Sequence, residues 1–147
     1  MSASAIDRIL VTPLKIIPDA RGAVMHMLRA DAPHFAGFGE IYFSVVNPGA
    51  VKAWKRHRAM TLNLCCVSGR IRLVVADAEA GAVRTIDLGP EMAETYALVT
   101  VPPGLWTGFT CTGEASAVLA NCASIPHDPT EAETLPAESD RIPYTWL

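Results

Sequence analysis

Gly and Pro cut this chain into apolar segments too short to be helices. Ten Gly and eleven Pro among 147 residues sit mostly between runs of five to eight residues. No run places apolar residues at i, i+3, i+4 and i+7 for more than two turns, so helical periodicity is nearly absent. Short strands punctuated by turn residues are the pattern of a β-sandwich or small barrel. The expected strands are Ile9–Leu14, Lys15–Ile17, Ala23–Arg29, Glu40–Val46, Ala50–His57, Thr61–Val67, Ile71–Ala76, Val83–Leu88, Tyr96–Val101, Gly108–Cys111 and Ala115–Cys122. Pro18–Gly22, Asn47–Gly49 and Ser68–Gly69 are the turns, and Ala30–Phe38 is irregular or one short helical turn. The length suits one domain over 1–147, with 126–147, richer in Pro and acid, expected as a C-terminal tail packing on the barrel.

Composition removes several classes of function. The formal net charge of −3 gives no electrostatic footprint for nucleic acid. A hydrophobic fraction of 50% against 18% charged excludes a disordered chain and suggests apolar surface buried against a second subunit. Runs such as Leu73–Ala76 and Ala97–Val101 are far too short to cross a bilayer, and the start Met1–Arg8 has no basic-then-apolar leader. Cys65, Cys66, Cys111 and Cys122 contain no CxxC spacing, and adjacent strand residues face opposite ways. They read as reduced thiols of a cytoplasmic protein.

Alternation adds a candidate site. In Thr61–Val67 the odd positions are Thr61, Asn63, Cys65 and Val67, and the even ones Leu62, Leu64 and Cys66 are apolar. Carried back through the preceding turn, the odd face includes His57 and Lys55. That face is either a polar lumen or merely solvated; alternation fits both. On the lumen reading, Leu62, Leu64 and Cys66 line the outside and would be covered in a homodimer.

The stretch Gly49-x5-Lys55-x-His57-x3-Thr61-x7-Gly69 resembles the first cupin motif, and Val101-Pro-Pro-Gly-Leu-Trp-Thr107 the second. Where cupins carry their His, His, Glu, His metal set, this chain has Lys55, His57, Thr61 and Thr107. One ligand and an ammonium do not make a metal site, so no metal and no cofactor are expected. Asp19-Ala-Arg-Gly22, Phe38–Ser44, Val51–Trp54, Ser68–Ile71 and Val101–Phe109 follow in the order of the dTDP-4-dehydrorhamnose 3,5-epimerase family. The segment Ala120–Pro129 is similar to a short-chain subgroup found with surface-polysaccharide genes.

This resemblance implies an all-β, cupin-type jelly-roll barrel. It also implies epimerisation or isomerisation of a nucleotide-linked 4-keto-6-deoxy sugar in surface polysaccharide biosynthesis, with no nucleic acid or membrane as partner. The family's catalytic His falls on Lys55, with His57 two residues on; related 3,4-ketoisomerases carry His at both places. The family's lysine falls near Thr61, its second-motif His on Thr107 and its tyrosine on Ala120 or Asn121. His57 and Lys55 are therefore the catalytic candidates. Arg21 and Lys52 are candidate phosphate grips, and Thr61, Asn63, Thr107 and Asn121 candidate substrate contacts. Each has a plainer reading: a rim lysine, a hydrogen-bonded lumen histidine, a turn salt bridge at Arg21. Arg56 and Arg58 read as solvent-facing, Trp54 and Trp106 as packing or stacking residues, and His26, His34 and His127 as structural. Loss of the family's His and Tyr leaves a second function open, a sugar-binding cupin without catalysis.

Overall fold

The computed structural model describes residues 4–146; Met1–Ala3, part of the start read above as lacking a leader, and Leu147 lie outside it. Twelve strands are present among the described residues. β1 (Leu10–Pro13), β2 (Ile16–Asp19), β3 (Gly22–Met25) and β4 (Glu40–Val46) open the chain. β5 (Val51–His57), β6 (Leu62–Ser68), β7 (Ile71–Asp77) and β8 (Ala82–Leu88) follow. β9 (Ala97–Val101), β10 (Trp106–Cys111), β11 (Ala117–Ala123) and β12 (Ala132–Thr134) complete the series. One five-stranded sheet has the order β1-β9-β6-β11-β4, a second β12-β5-β10-β7-β8, and β2-β3 forms a separate hairpin. All of these pairings are antiparallel. The fold is a cupin-type β-barrel, two sheets packed face to face. Among the described residues no helix is long and apolar enough to cross a membrane.

Both sheets turn apolar side chains inward. Val46, Leu62, Leu64, Cys66, Val99, Ala117 and Leu119 from the first meet Ile71, Leu73, Val75, Leu88 and Cys111 from the second. Two smaller clusters cover the outer faces. Cys65, Tyr96 and Leu98 lie under Leu14, Ile16, Met27 and Leu28. Trp54, Val74, Ala76 and Trp106 lie under the tail through Ile142, Tyr144 and Trp146.

Three sequence expectations change here. The strand expected over Ala23–Arg29 ends at Met25. The tail contributes a strand of its own, β12, which pairs Ala132 with His57 and Thr134 with Lys55. The third change concerns faces. Lys55 and His57 do point into the barrel, but so do Leu62, Leu64 and Cys66, while Cys65 packs on the outside. Parity holds only within one strand. Here Arg58–Thr61 carries the chain from the second sheet to the first, and the crossing resets which positions face inward. Leu62, Leu64 and Cys66 are therefore core, not dimer surface.

Candidate active site

A cavity of about 370 Å³ opens between the sheets, within the size range of small-ligand sites. One wall comes from the second sheet: Lys52, Lys55, His57, Thr107 and Phe109, with Thr134 and Leu135 of the tail. The facing wall comes from the first: Tyr42, Ser44, Leu62, Leu64, Leu119 and Asn121. A smaller outer cavity is lined by Glu40, Met60 and His127, and shares Tyr42, Lys55 and His57 with the inner one.

Lys52 and Lys55 are three residues apart, yet both face the cavity. The pairing of β5 with β10 matches Lys55 to Thr107, Ala53 to Gly108 and Lys52 to Phe109, so Trp54 has no partner on β10. One extra residue shifts the alternation and brings both lysines to the same side. Trp54 points outward into the cluster under the tail, its indole N–H donating to the Ala137 carbonyl at 3.2 Å. Trp54 and Trp106 are thus packing residues on the outside. Arg56 lies over the Trp106 ring at 4.7 Å and pairs with Glu133 at 2.9 Å.

His57 is buried, and its Nδ1 lies 2.6 Å from Oε1 of Glu131. The other oxygen of Glu131 accepts the backbone N–H groups of Ala59 at 2.7 Å and Met60 at 3.0 Å. Burial works against the Glu131 carboxylate, but these donors and the imidazole outweigh it and hold the carboxyl down at about 2. An ionised carboxylate accepts from Nδ1–H, which in neutral imidazole leaves Nε2 with its lone pair as the free nitrogen. The partner of His57 is therefore a carboxylate from the tail, in addition to the neighbouring ammonium that the strand pattern alone suggested. Sequence reasoning missed Glu131 because β12 is three residues long and shows no period of its own.

The other candidates divide. Lys52, Lys55, His57, Thr107 and Asn121 line the one cavity. Thr107 donates weakly to the Lys55 carbonyl at 3.4 Å. Asn63 is buried but does not line the cavity: its side chain accepts from Thr100 Oγ1 at 2.6 Å, and its N–H donates to Asn121 Oδ1 at 3.1 Å. Thr61 also lies outside, its N–H donating to Ser124 Oγ at 2.8 Å. Arg21 sits at the tip of the β2–β3 hairpin, away from this chain's cavity, with its guanidinium on Asp19 at 3.0 Å. Among the described residues its ion pair is the turn salt bridge of the plainer reading. Asn63 was placed at the site by the parity that the sheet crossing resets, and Thr61 by that parity together with the resemblance, which puts the family's lysine near it. Among the described residues no three His, Cys, Asp or Glu side chains are grouped so as to hold a metal ion.

Tyr42 was given no role in the sequence, although it lines both cavities. A signal existed: on β4, Glu40, Tyr42 and Ser44 alternate with Ile41, Phe43 and Val45. The usual assumption that the apolar set faces inward hides it. Here Tyr42 and Ser44 line the cavity, and Ile41, Phe43 and Val45 are exposed.

No family profile matches the chain. A probable low-salt glycan biosynthesis epimerase, Agl13, from Haloferax volcanii is 28% identical over 146 residues, spanning 95% of this chain and 88% of that protein. The crystal structure of a dTDP sugar isomerase from Desulfovibrio desulfuricans G20 is similar with a TM-score of 0.91 and 39% identity, over 99% of this chain and 95% of that one. The 3,5-epimerase RmlC from Legionella pneumophila Philadelphia 1, solved with dTDP-4-keto-L-rhamnose, has a TM-score of 0.78 at 17% identity, over 95% and 79%. At that identity the likeness concerns the fold alone.

Proposed function

The chain belongs to the dTDP-4-dehydrorhamnose 3,5-epimerase-like family of cupins, and from that premise we propose that it epimerises or isomerises a nucleotide-linked 4-keto-6-deoxy sugar in surface glycan biosynthesis. The observation that carries this reading is the His57–Glu131 pair facing a cavity that also holds two lysines. A proton on the carbon beside a ketone becomes removable when a neutral base meets it and a cation or donor holds the oxygen that gains charge. His57, kept in one tautomer by Glu131, is the base. Lys55 neutralises the enolate oxygen, and Lys52, further along the same wall, grips the diphosphate. Thr107 and Asn121 contact the sugar. No resident metal or cofactor is required by this chemistry.

The proposed setting is the cytoplasm; four unpaired buried cysteines suit a reducing compartment. The proposed assembly is a homodimer. Support comes from β4, which ends the first sheet and exposes Ile41 at 52%, Phe43 at 62% and Val45 at 53%.

Solvent deuterium tests the reading. Incubated in D2O with dTDP-4-keto-6-deoxyglucose, the protein should label a carbon adjacent to the ketone. His57→Asn should slow labelling by roughly 10²-fold or more, the scale of lost general-base catalysis. Tight binding of the nucleotide sugar with no labelling would instead establish the binding-only cupin.

A further inference from the structure

Inversion beside a carbonyl requires a proton to leave one face of the carbon and another to arrive on the opposite face. His57, on β5, stands on one wall of the cavity. We infer that Tyr42, from β4 on the other wall, is the general acid, and that Asn121 is a positioning residue that keeps its hydroxyl hydrogen available. The inference rests on the epimerase reading above and adds to it the residue that completes inversion.

The two hydrogen bonds of the Asn121 amide carry the argument. The Asn63 backbone N–H donates to Asn121 Oδ1 at 3.1 Å. With its oxygen so engaged, the Asn121 amide must present Nδ2 to Tyr42, whose Oη lies 2.9 Å away. An amide nitrogen only donates. The phenol oxygen is therefore the acceptor, and its own hydrogen is left for whatever occupies the cavity. Asn121 is almost fully buried, where an unpaired amide would be costly, so its amide has little freedom to reorient. Cross-strand pairing fixes the contact: Asn121 lies opposite Tyr42.

The proton and electron balance closes. His57 Nε2 takes the proton from the carbon; the C–H pair becomes the C=C bond of the enolate, and the carbonyl π pair moves onto oxygen. On collapse of the enolate the C=C pair takes the hydroxyl hydrogen of Tyr42 on the other face, and the O–H pair stays on the phenol oxygen. Solvent entering through the outer cavity, which Tyr42 and His57 both line, returns a proton to the phenolate and removes one from the imidazolium.

Tyr42→Phe separates the two half-reactions. With dTDP-4-keto-6-deoxyglucose in D2O, the variant should still wash deuterium into the recovered substrate, because His57 exchanges its proton with solvent and returns it to the same face. Inversion should fall by roughly 10²-fold or more. As a second variant, 3-fluorotyrosine placed at position 42 keeps the hydroxyl and should move the alkaline limb of the inversion pH profile to lower pH, leaving the exchange profile in place. Inversion by Tyr42→Phe within about threefold of the unaltered protein, or an unmoved alkaline limb with fluorotyrosine, would overturn the role of Tyr42. Absence of both exchange and inversion in the unaltered protein would overturn the epimerase reading itself, and this inference with it.

Discussion

Glu131 reaches His57 from a part of the chain 74 residues away, and it does so as an ionised group. Its carboxyl titrates near 2 in the folded protein against an ordinary 4.5. A carboxyl lowered on folding contributes stability that is fully present above its unfolded value and is lost as pH falls through the folded one. The window is thus from about 4.5 down to about 2, and a shift of this size corresponds to roughly 3 kcal/mol. Glu131→Gln keeps the shape and removes the charge. Its urea midpoint should lie below that of the unaltered protein at pH 7, and the gap should narrow as pH falls through that window. A gap independent of pH would show that the charge does not stabilise the fold. Proton exchange into the keto sugar should slow by about 10²-fold, since the imidazole loses the partner that sets its tautomer. At this scale strand alternation and the resemblance both point at His57 and Lys55, while Lys52 is pointed at by the resemblance alone, since alternation without the bulge would turn it away from them. Glu131 and Tyr42 were not legible. One depends on a contact across most of the chain, the other on an inverted choice of inward face.

Among the elements, β10 shows how the tail is locked to the barrel. Gly108 on β10 faces outward, where a Cβ would lie 2.6 Å from Ala53 Cβ, 2.9 Å from Trp146 Cζ2 and 3.1 Å from Trp54 Cε3. The tail's aromatic end occupies the space that a side chain would need: Trp146 and Tyr144 both pack on Trp54, with ring centroids 5.1 and 6.2 Å away. Gly108→Ala should therefore destabilise by roughly 1–3 kcal/mol, the usual cost of overpacking. Adding Trp146→Ala should recover part of that loss in urea unfolding; additive losses would mean that Trp146 is not what the methyl strikes. The functional consequence follows the chain: β12 and Leu135 pair with β5, so a displaced tail carries Glu131 away from His57. Gly108 was visible in the sequence, within the Val101–Phe109 stretch, but its reason was not, since no local pattern says which aromatic lies over it.

For the whole molecule, the exposed apolar face lies on β4 rather than β6. Ile41, Phe43 and Val45 form a solvent-facing row on an edge strand, the kind of surface that monomers seldom leave bare. Light scattering at micromolar concentration should give a homodimer, and Phe43→Lys should shift it to monomer without loss of secondary structure. A monomeric unaltered protein would sink the proposed assembly. The monomeric variant also shows whether dimerisation matters for proton exchange.

The residue order by itself determined that this chain is all-β, with turns inside Pro18–Gly22, at Asn47–Gly49 and just after Ser68, because Gly and Pro act on the backbone locally and strand alternation has a period of two; the strands run further than expected, β2 taking in Pro18 and Asp19, β3 Gly22 and β6 Ser68. It also determined that Lys55 and His57 share a face, since they lie two apart on one strand. Which faces meet was decided only by the tertiary structure. The crossing at Arg58–Thr61 resets parity between sheets, the bulge at Trp54 turns Lys52 inward, and the tail folds back to deliver Glu131. A pattern of period two assigns residues to sides of a strand; only the packing of one sheet on the other says which side is the lumen.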